Sequence, residues 1–270
     1  MGAWCGDVPN WSSSIGCSRQ GLSCYFAPLF YWCQHTKNIY LKENRMDKLL
    51  SQVLDIIQRA APLTPCELPP ELAETRYVLN VLKLRCYNWR SEKLRKVYAM
   101  RMTVKVPSMD IIGMAFYPVS ECDAPILAFD LTCTSKKVVT YINPVAVVQD
   151  EQYHRNYIAP FQSVREKYRH FPPHKVPEWM QVYNNPCTIY ALPERSQLEE
   201  LKACVLAYLH VYSELLAQAK PSEDAQYRSR IEAFHTAYIK DLLTKDRSQV
   251  MLGKIIGKQK AARIFNEVLV

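Results

Sequence analysis

The chain has 270 residues, 49% hydrophobic and 22% charged, which is enough apolar side chain to bury a core in one large domain or two small ones. Neither G-x-G-x-x-G nor G-x-x-x-x-G-K-S/T occurs, so dinucleotide and P-loop sites have no support. The net charge of +8 is spread without a block of like charges and suits an acidic partner: an acidic protein, an anionic surface, a nucleic acid or a carboxylate ligand.

Residues 1–44 are poor in acids and rich in Ser, Cys and aromatics. They read either as a targeting segment or its remnant, or as a loosely ordered extension. The apolar run Leu22–Cys33 falls short of the ~18 residues of a membrane span. From Arg45 to Ala61, Leu49, Leu50, Val53, Leu54 and Ile57 recur at helical spacing. The Pro-rich "APLTPCELPPEL" ends that helix. Strand-like runs follow through short turns: "RYVLNVLKLRCYNW", "KVYAMRMTVKVP", "MDIIGMAFYP", "PILAFDLT", "KKVVTYIN" and, later, "CTIYALP". Residues Glu151–Lys175 read as helical and then loop-like. A long helix begins near Ser196, with Glu199 in a capping-box spacing, and carries Leu198, Leu201, Val205, Leu209, Tyr212 and Leu216 along one side. A second carries Tyr227, Ile231, Phe234, Tyr238 and Leu242, and a third follows Asp246. Consecutive strands without helices between them predict an α+β single domain: a central antiparallel β-sheet flanked by helices, an α/β/α sandwich over residues 45–270.

Ten cysteines are present without a C-x-x-C pair, and Cys122, Cys133, Cys187 and Cys204 sit in apolar surroundings, as free thiols in a reducing compartment do. Six histidines form no ligand-pair motif, so no metal site is expected.

The run "PILAFDLT" places a carboxylate, Asp130, inside an apolar strand. Burial without a partner is costly and drives a carboxyl to hold its proton. Alternation puts Ile126, Ala128, Asp130 and Thr132 on one face and Leu127, Phe129 and Leu131 on the other. On the preceding strand Ile111, Gly113, Ala115 and Tyr117 share a face, opposite Asp110, Ile112, Met114 and Phe116. If Gly113 and Ala115 join Ala128 and Asp130, that side is a small-residue floor with one acid, on which a flat ligand could lie. The alternative is that Gly113 marks a bulge and Asp130 bonds a neighbouring helix.

The stretch "DIIGMAFYPVSECDAPILAFDLT" resembles the central hairpin of the ferredoxin-dependent bilin reductases, with Asp130 in the place of the family's strand aspartate. The C-terminal "TKDRSQVMLGKIIGKQKAARIFNEVLV" is similar to the family's closing pattern, with Asp246 on its second aspartate and Gly257 on its terminal glycine. The resemblance covers roughly residues 75–270. Gly113 stands where the phycocyanobilin-forming branch has a histidine, which argues against that branch. Arg247 replaces the proline usual after the second aspartate, and "IIG" replaces an aromatic-glycine pair. The helix pattern leans toward the phycoerythrobilin and phytochromobilin synthase-like branch. By its residues alone Asp246 is a helix N-cap, with Gln249 three positions on. A cap and a ligand contact are compatible.

The resemblance implies reduction of an open-chain tetrapyrrole, biliverdin or 15,16-dihydrobiliverdin, to a phytobilin chromophore such as phycoerythrobilin. It implies no bound cofactor, single electrons from a reduced 2Fe–2S ferredoxin, and protons from Asp130 and Asp246. Gly113 and Ala128 would form the substrate floor, and Arg247, His174 and Lys175 are candidate partners of the propionates. It further implies a monomer, soluble and plastid-located in a eukaryote or cytoplasmic otherwise, with ferredoxin and the bilin as partners and no nucleic acid or membrane span. The competing expectations are 15,16-reduction of biliverdin, red chlorophyll catabolite reduction, a non-catalytic bilin carrier, and, from charge alone, a basic nucleic-acid-binding domain.

Overall fold

Runs of alternating apolar residues joined by short turns double back on themselves and form antiparallel hairpins. The computed structural model describes residues 37–77 and 81–270. Its strands are β1 (Thr64–Cys66), β2 (Glu74–Tyr77), β3 (Leu82–Arg90), β4 (Leu94–Val104), β5 (Met109–Pro118), β6 (Ile126–Cys133), β7 (Val138–Val145) and β8 (Ile189–Ala191). Among the described residues they form one sheet in the order β1-β3-β4-β5-β6-β7-β8, with β2 also paired to β3, and every pairing is antiparallel.

Helices cover both faces, as the sandwich reading expects. Helix α1 (Lys37–Ala60) and helix α2 (Leu198–Gln218) lie on the face of Phe116, whose ring meets Tyr212 of α2 at 5.7 Å. The predicted stripe of α2, Leu198 to Leu216, is buried, as are Leu49, Leu50, Val53 and Ile57 of α1. This face also holds a fully buried arginine, Arg101, paired with Asp110 of β5 and Asp47 of α1. Helix α3 (Ala225–Lys245) lies on the other face, its Tyr238 ring 6.5 Å from Tyr117 of β5. Two further helices close the chain: α4 (Ser248–Ile256) and α5 (Lys258–Arg263), the latter running into a wider π-type turn, Ile264–Leu269. Gly257 separates them at φ +92, a conformation in which a Cβ is strained. Asn88 of β3 bonds the backbone of the closing turn, tying the C-terminus to the sheet.

Several expectations need correcting. Helix α1 starts at Lys37, not Arg45. The rest of the predicted extension, and with it the targeting reading, lies outside the described residues. The Pro-rich stretch holds an edge strand, β1, and a helical turn, Pro70–Ala73. The capping box ahead of α2 is Glu194 and Gln197, two residues earlier than Ser196 and Glu199, because a 3-10 turn, Arg195–Gln197, precedes the helix. Among the described residues no helix is long and apolar enough to cross a membrane, and Cys122, Cys133, Cys187 and Cys204 are free and buried.

Candidate active site

Strand register decides whether the small residues and the acid share a face, and it brings them together. Gly113 pairs with Asp130 and Ala115 with Ala128 across β5 and β6. Register is continuous through Gly113 on both sides, so the glycine is no bulge. Tyr98 of β4 pairs with Ala115, and Tyr141 of β7 pairs with Asp130, so aromatic side chains border the small-residue floor left and right. Above it stand Tyr238 and Leu242 of α3 and Trp179, Met180 and Tyr183 of a 3-10 turn, Glu178–Tyr183. Together with Tyr117 and Ala128 these residues line a narrow cleft between sheet and helix whose open space is about 10 Å³, room for about one water.

Asp130 lies one step along the same face from Ala128 and is half-buried. Thr132 Oγ1 donates to its Oδ1 at 3.0 Å. Burial pushes its carboxyl up to about 6 against that opposing bond, and the like charge of Asp246 pushes the same way. The carboxylate reaches back over Gly113: a Cβ built there would stand 3.0 Å from Asp130 Oδ2. The missing side chain at 113 is the space this carboxylate uses.

Asp246 arrives from the opposite layer. Its backbone N–H closes α3 on the Leu242 carbonyl at 3.3 Å, and its Oδ1 accepts from the Ser248 N–H at 2.8 Å, where α4 begins. Asp246 thus bonds the first turn from one residue before the N-cap, which is Arg247, and the box expected with Gln249 is not formed. The residue is 4% exposed, and its Oδ2 has no hydrogen-bond partner among the described residues. Burial raises its pKa above the usual carboxylate range. The charges of both aspartates reach the buried Tyr98, and that of Asp246 reaches Asp130, so the two lie near one another.

Of the predicted site residues only Ala128 lines this cleft; Gly113, Asp130, Asp246, Arg247, His174 and Lys175 do not. Arg247 is exposed at the start of α4. His174 is stacked on Tyr190 of β8 at 5.3 Å, and Lys175 beside it is exposed, both at the edge of the sheet. Sequence reasoning had Tyr117 on this face and Tyr238 on α3 but missed the rest of the aromatic wall. Tyr98 and Tyr141 were within reach of the alternation that located Asp130. Trp179 and Tyr183 lie in a turn with no period to read.

A second hollow, of about 160 Å³, opens on the opposite face beside Asp110, Cys133, Arg195 and Glu199. Its charges are already engaged, Asp110 with Arg101 and Arg195 with the Thr134 carbonyl, and it has no aromatic wall. A planar apolar ligand suits the tyrosine cleft. No group of three or more metal-ligating side chains occurs among the described residues.

The hairpin that carries Gly113 and Asp130 is the stretch whose sequence resembles a known family. The family model described as ferredoxin-dependent bilin reductase matches residues 50–270. The chain belongs to this family. The reductase is thus an oxidoreductase of bilins that depends on ferredoxin. It is 24% identical, over 70% of its length and 79% of the relative's, to a 15,16-dihydrobiliverdin:ferredoxin oxidoreductase of Nostoc punctiforme. It is 27% identical, over 59% of its length and 67% of the relative's, to the protein of the same name from Gloeobacter violaceus. The fold of the reductase is that of phytochromobilin synthase from tomato, crystallised with biliverdin: TM-score 0.75 at 16% identity, covering 81% of this chain and 80% of that one.

Proposed function

We propose that the reductase converts 15,16-dihydrobiliverdin to a phycoerythrobilin-type product by reducing the A-ring diene system. The observation that carries the chemistry is a pair of carboxyls with raised pKa, Asp130 from the sheet beside Gly113 and Ala128 and Asp246 from the helical layer, close enough that each charge reaches the cleft residue Tyr98. Two curated relatives named for that substrate support the choice of bilin.

Reduction of one conjugated system takes two electrons and two protons. Reduced ferredoxin supplies the electrons one at a time and is oxidised. Each aspartate gives one proton to a carbon and is reprotonated from solvent. A carboxyl titrating near 6 keeps a usable proton fraction near neutral pH while remaining a strong enough acid to give it up. The partnerless Oδ2 of Asp246 is free to carry the second proton toward the ligand.

The test is anaerobic visible spectroscopy of the purified chain with 15,16-dihydrobiliverdin, and separately with biliverdin, before and after reduced ferredoxin is added. Turnover of the dihydro compound alone is expected. Conversion of biliverdin to that dihydro compound would move the protein to the first-step reaction, conversion of biliverdin to phytochromobilin would change the substrate, and binding without turnover would make it a carrier.

A further inference from the structure

The wall of the cleft contains a hydroxyl whose hydrogen-bond direction is fixed from behind. Asn143 of β7 is fully buried and sits two residues from Tyr141 on the same face. Its Nδ2 donates to the Tyr183 carbonyl at 2.9 Å, and a carbonyl can only accept. Its Oδ1 accepts from Thr188 Oγ1 at 2.9 Å and from Asn185 Nδ2 at 3.2 Å. Thr188 Oγ1 is committed in turn, because it accepts from the Asn185 N–H at 2.9 Å. These bonds leave one orientation for the amide. Its second N–H therefore meets the Tyr141 hydroxyl at 2.7 Å as donor, and the Tyr141 oxygen accepts. The phenol's own proton is left for the cleft.

We infer that Tyr141, oriented by Asn143, is a substrate-binding residue that donates a hydrogen bond to an end-ring lactam oxygen of the bound tetrapyrrole. This rests on the bilin reading of the cleft. A ring lying flat on Gly113 and Ala128 turns its in-plane edge toward the next strand, β7, where Tyr141 pairs with Asp130. The outward acceptor on an end ring is its lactam oxygen. A propionate would need a cation, and the described residues lining the cleft include none. Burial holds the Tyr141 phenol far above its ordinary pKa, so it stays a neutral donor across the working pH range. The hydroxyl thereby fixes which end of a nearly symmetric ligand lies beside Asp130.

The test compares wild type with Tyr141→Phe and Asn143→Asp, using dihydrobiliverdin and biliverdin as probes, with circular dichroism to verify folding. Tyr141→Phe keeps the ring and removes the donor. It should weaken bilin binding about two- to tenfold, raise the lactam carbonyl stretch of the bound bilin in resonance Raman, and broaden the set of products. The carboxylate that Asn143→Asp introduces can accept but not donate, so it turns the phenol proton inward and should reproduce the Raman shift with Tyr141 still present. If Asn143→Asp does not fold, Tyr141→Phe decides alone. Unchanged affinity, carbonyl frequency and products in Tyr141→Phe, in a chain whose wild type turns over, would overturn the inference. A wild type that binds neither bilin would overturn the functional reading beneath it.

Discussion

Gly113 and Asp130 are directly paired across β5 and β6, and a Cβ on Gly113 would come within 3.0 Å of Asp130 Oδ2. The glycine is a spatial requirement of its neighbour's carboxylate. Gly113→Ala should push that carboxylate off its place and loosen its bond from Thr132, because a contact that short makes one partner move. The expected result is a loss of turnover of about tenfold with bilin affinity nearly unchanged, since displacement of a proton donor by a fraction of an ångström costs rate before binding. Steady-state kinetics beside a bilin titration measure both. Equal turnover in Gly113→Ala would show that the carboxylate's position is not critical.

The pH profile follows from the same carboxyl. A general acid works in its protonated form, so the rate should be high below about 6 and fall as pH rises through it. Thr132→Val removes a bond that favours the ionised form, so the falling limb should move to higher pH. A limb that stays in place would detach the profile from Asp130.

Stability should respond in a related way. Folding raises the pKa of Asp130 from its ordinary value of 3.8 to about 6, so its contribution to stability is fully present below about 3.8 and is lost as pH rises through about 6. Asp130→Asn removes that loss. The variant should be more stable than wild type at pH 8, by about 1–3 kcal/mol, and catalytically stalled. Denaturant titrations at pH 4 and pH 8 test it; an advantage for the variant that is equal at both would show that the carboxyl does not titrate in this range.

Asp246 separates its two jobs by substitution. Asn keeps an oxygen for the Ser248 N–H, so Asp246→Asn should fold as wild type and bind bilin within about twofold, while losing ~10²-fold or more in turnover. Asp246→Ala also loses that bond, at a cost of about 1 kcal/mol. A fully active Asp246→Asn would leave only the bond to Ser248.

The net charge of +8 predicts a salt effect. Docking of an acidic electron donor is screened by ions, whereas the cleft is enclosed by apolar rings. Raising ionic strength should slow ferredoxin-driven turnover much more than it weakens bilin binding. Parallel losses would point to charge–charge contacts with the bilin itself.

Period-two patterning was enough to locate six strands and to sort Asp130 from Leu127, Phe129 and Leu131, but it left open whether Gly113 and Ala115 share its face or Gly113 marks a bulge, which the register decides. A buried stripe likewise made α2 legible. What escaped has a common physical cause. Edge strand β1 is three residues long and lies among prolines, too short to show a period. The 3-10 turn that carries Trp179 and Tyr183 has none either. The amide network behind Tyr141 joins positions more than forty residues apart, Asn143 to Asn185 and Thr188, and local pattern cannot bring them together.

Alternation along β5 has one more consequence. Ile112 and Met114 are fully buried against the helices on one side, while Gly113 between them faces the cleft on the other. The two faces thus answer to different layers: Ile112 and Met114 to the helices α1 and α2, Ile111, Ala115 and Tyr117, also buried, to α3 and the turn beside it. A change on one face of β5 is therefore felt by one helical layer and not the other, so the sheet insulates the surroundings of Asp130 from those of Arg101.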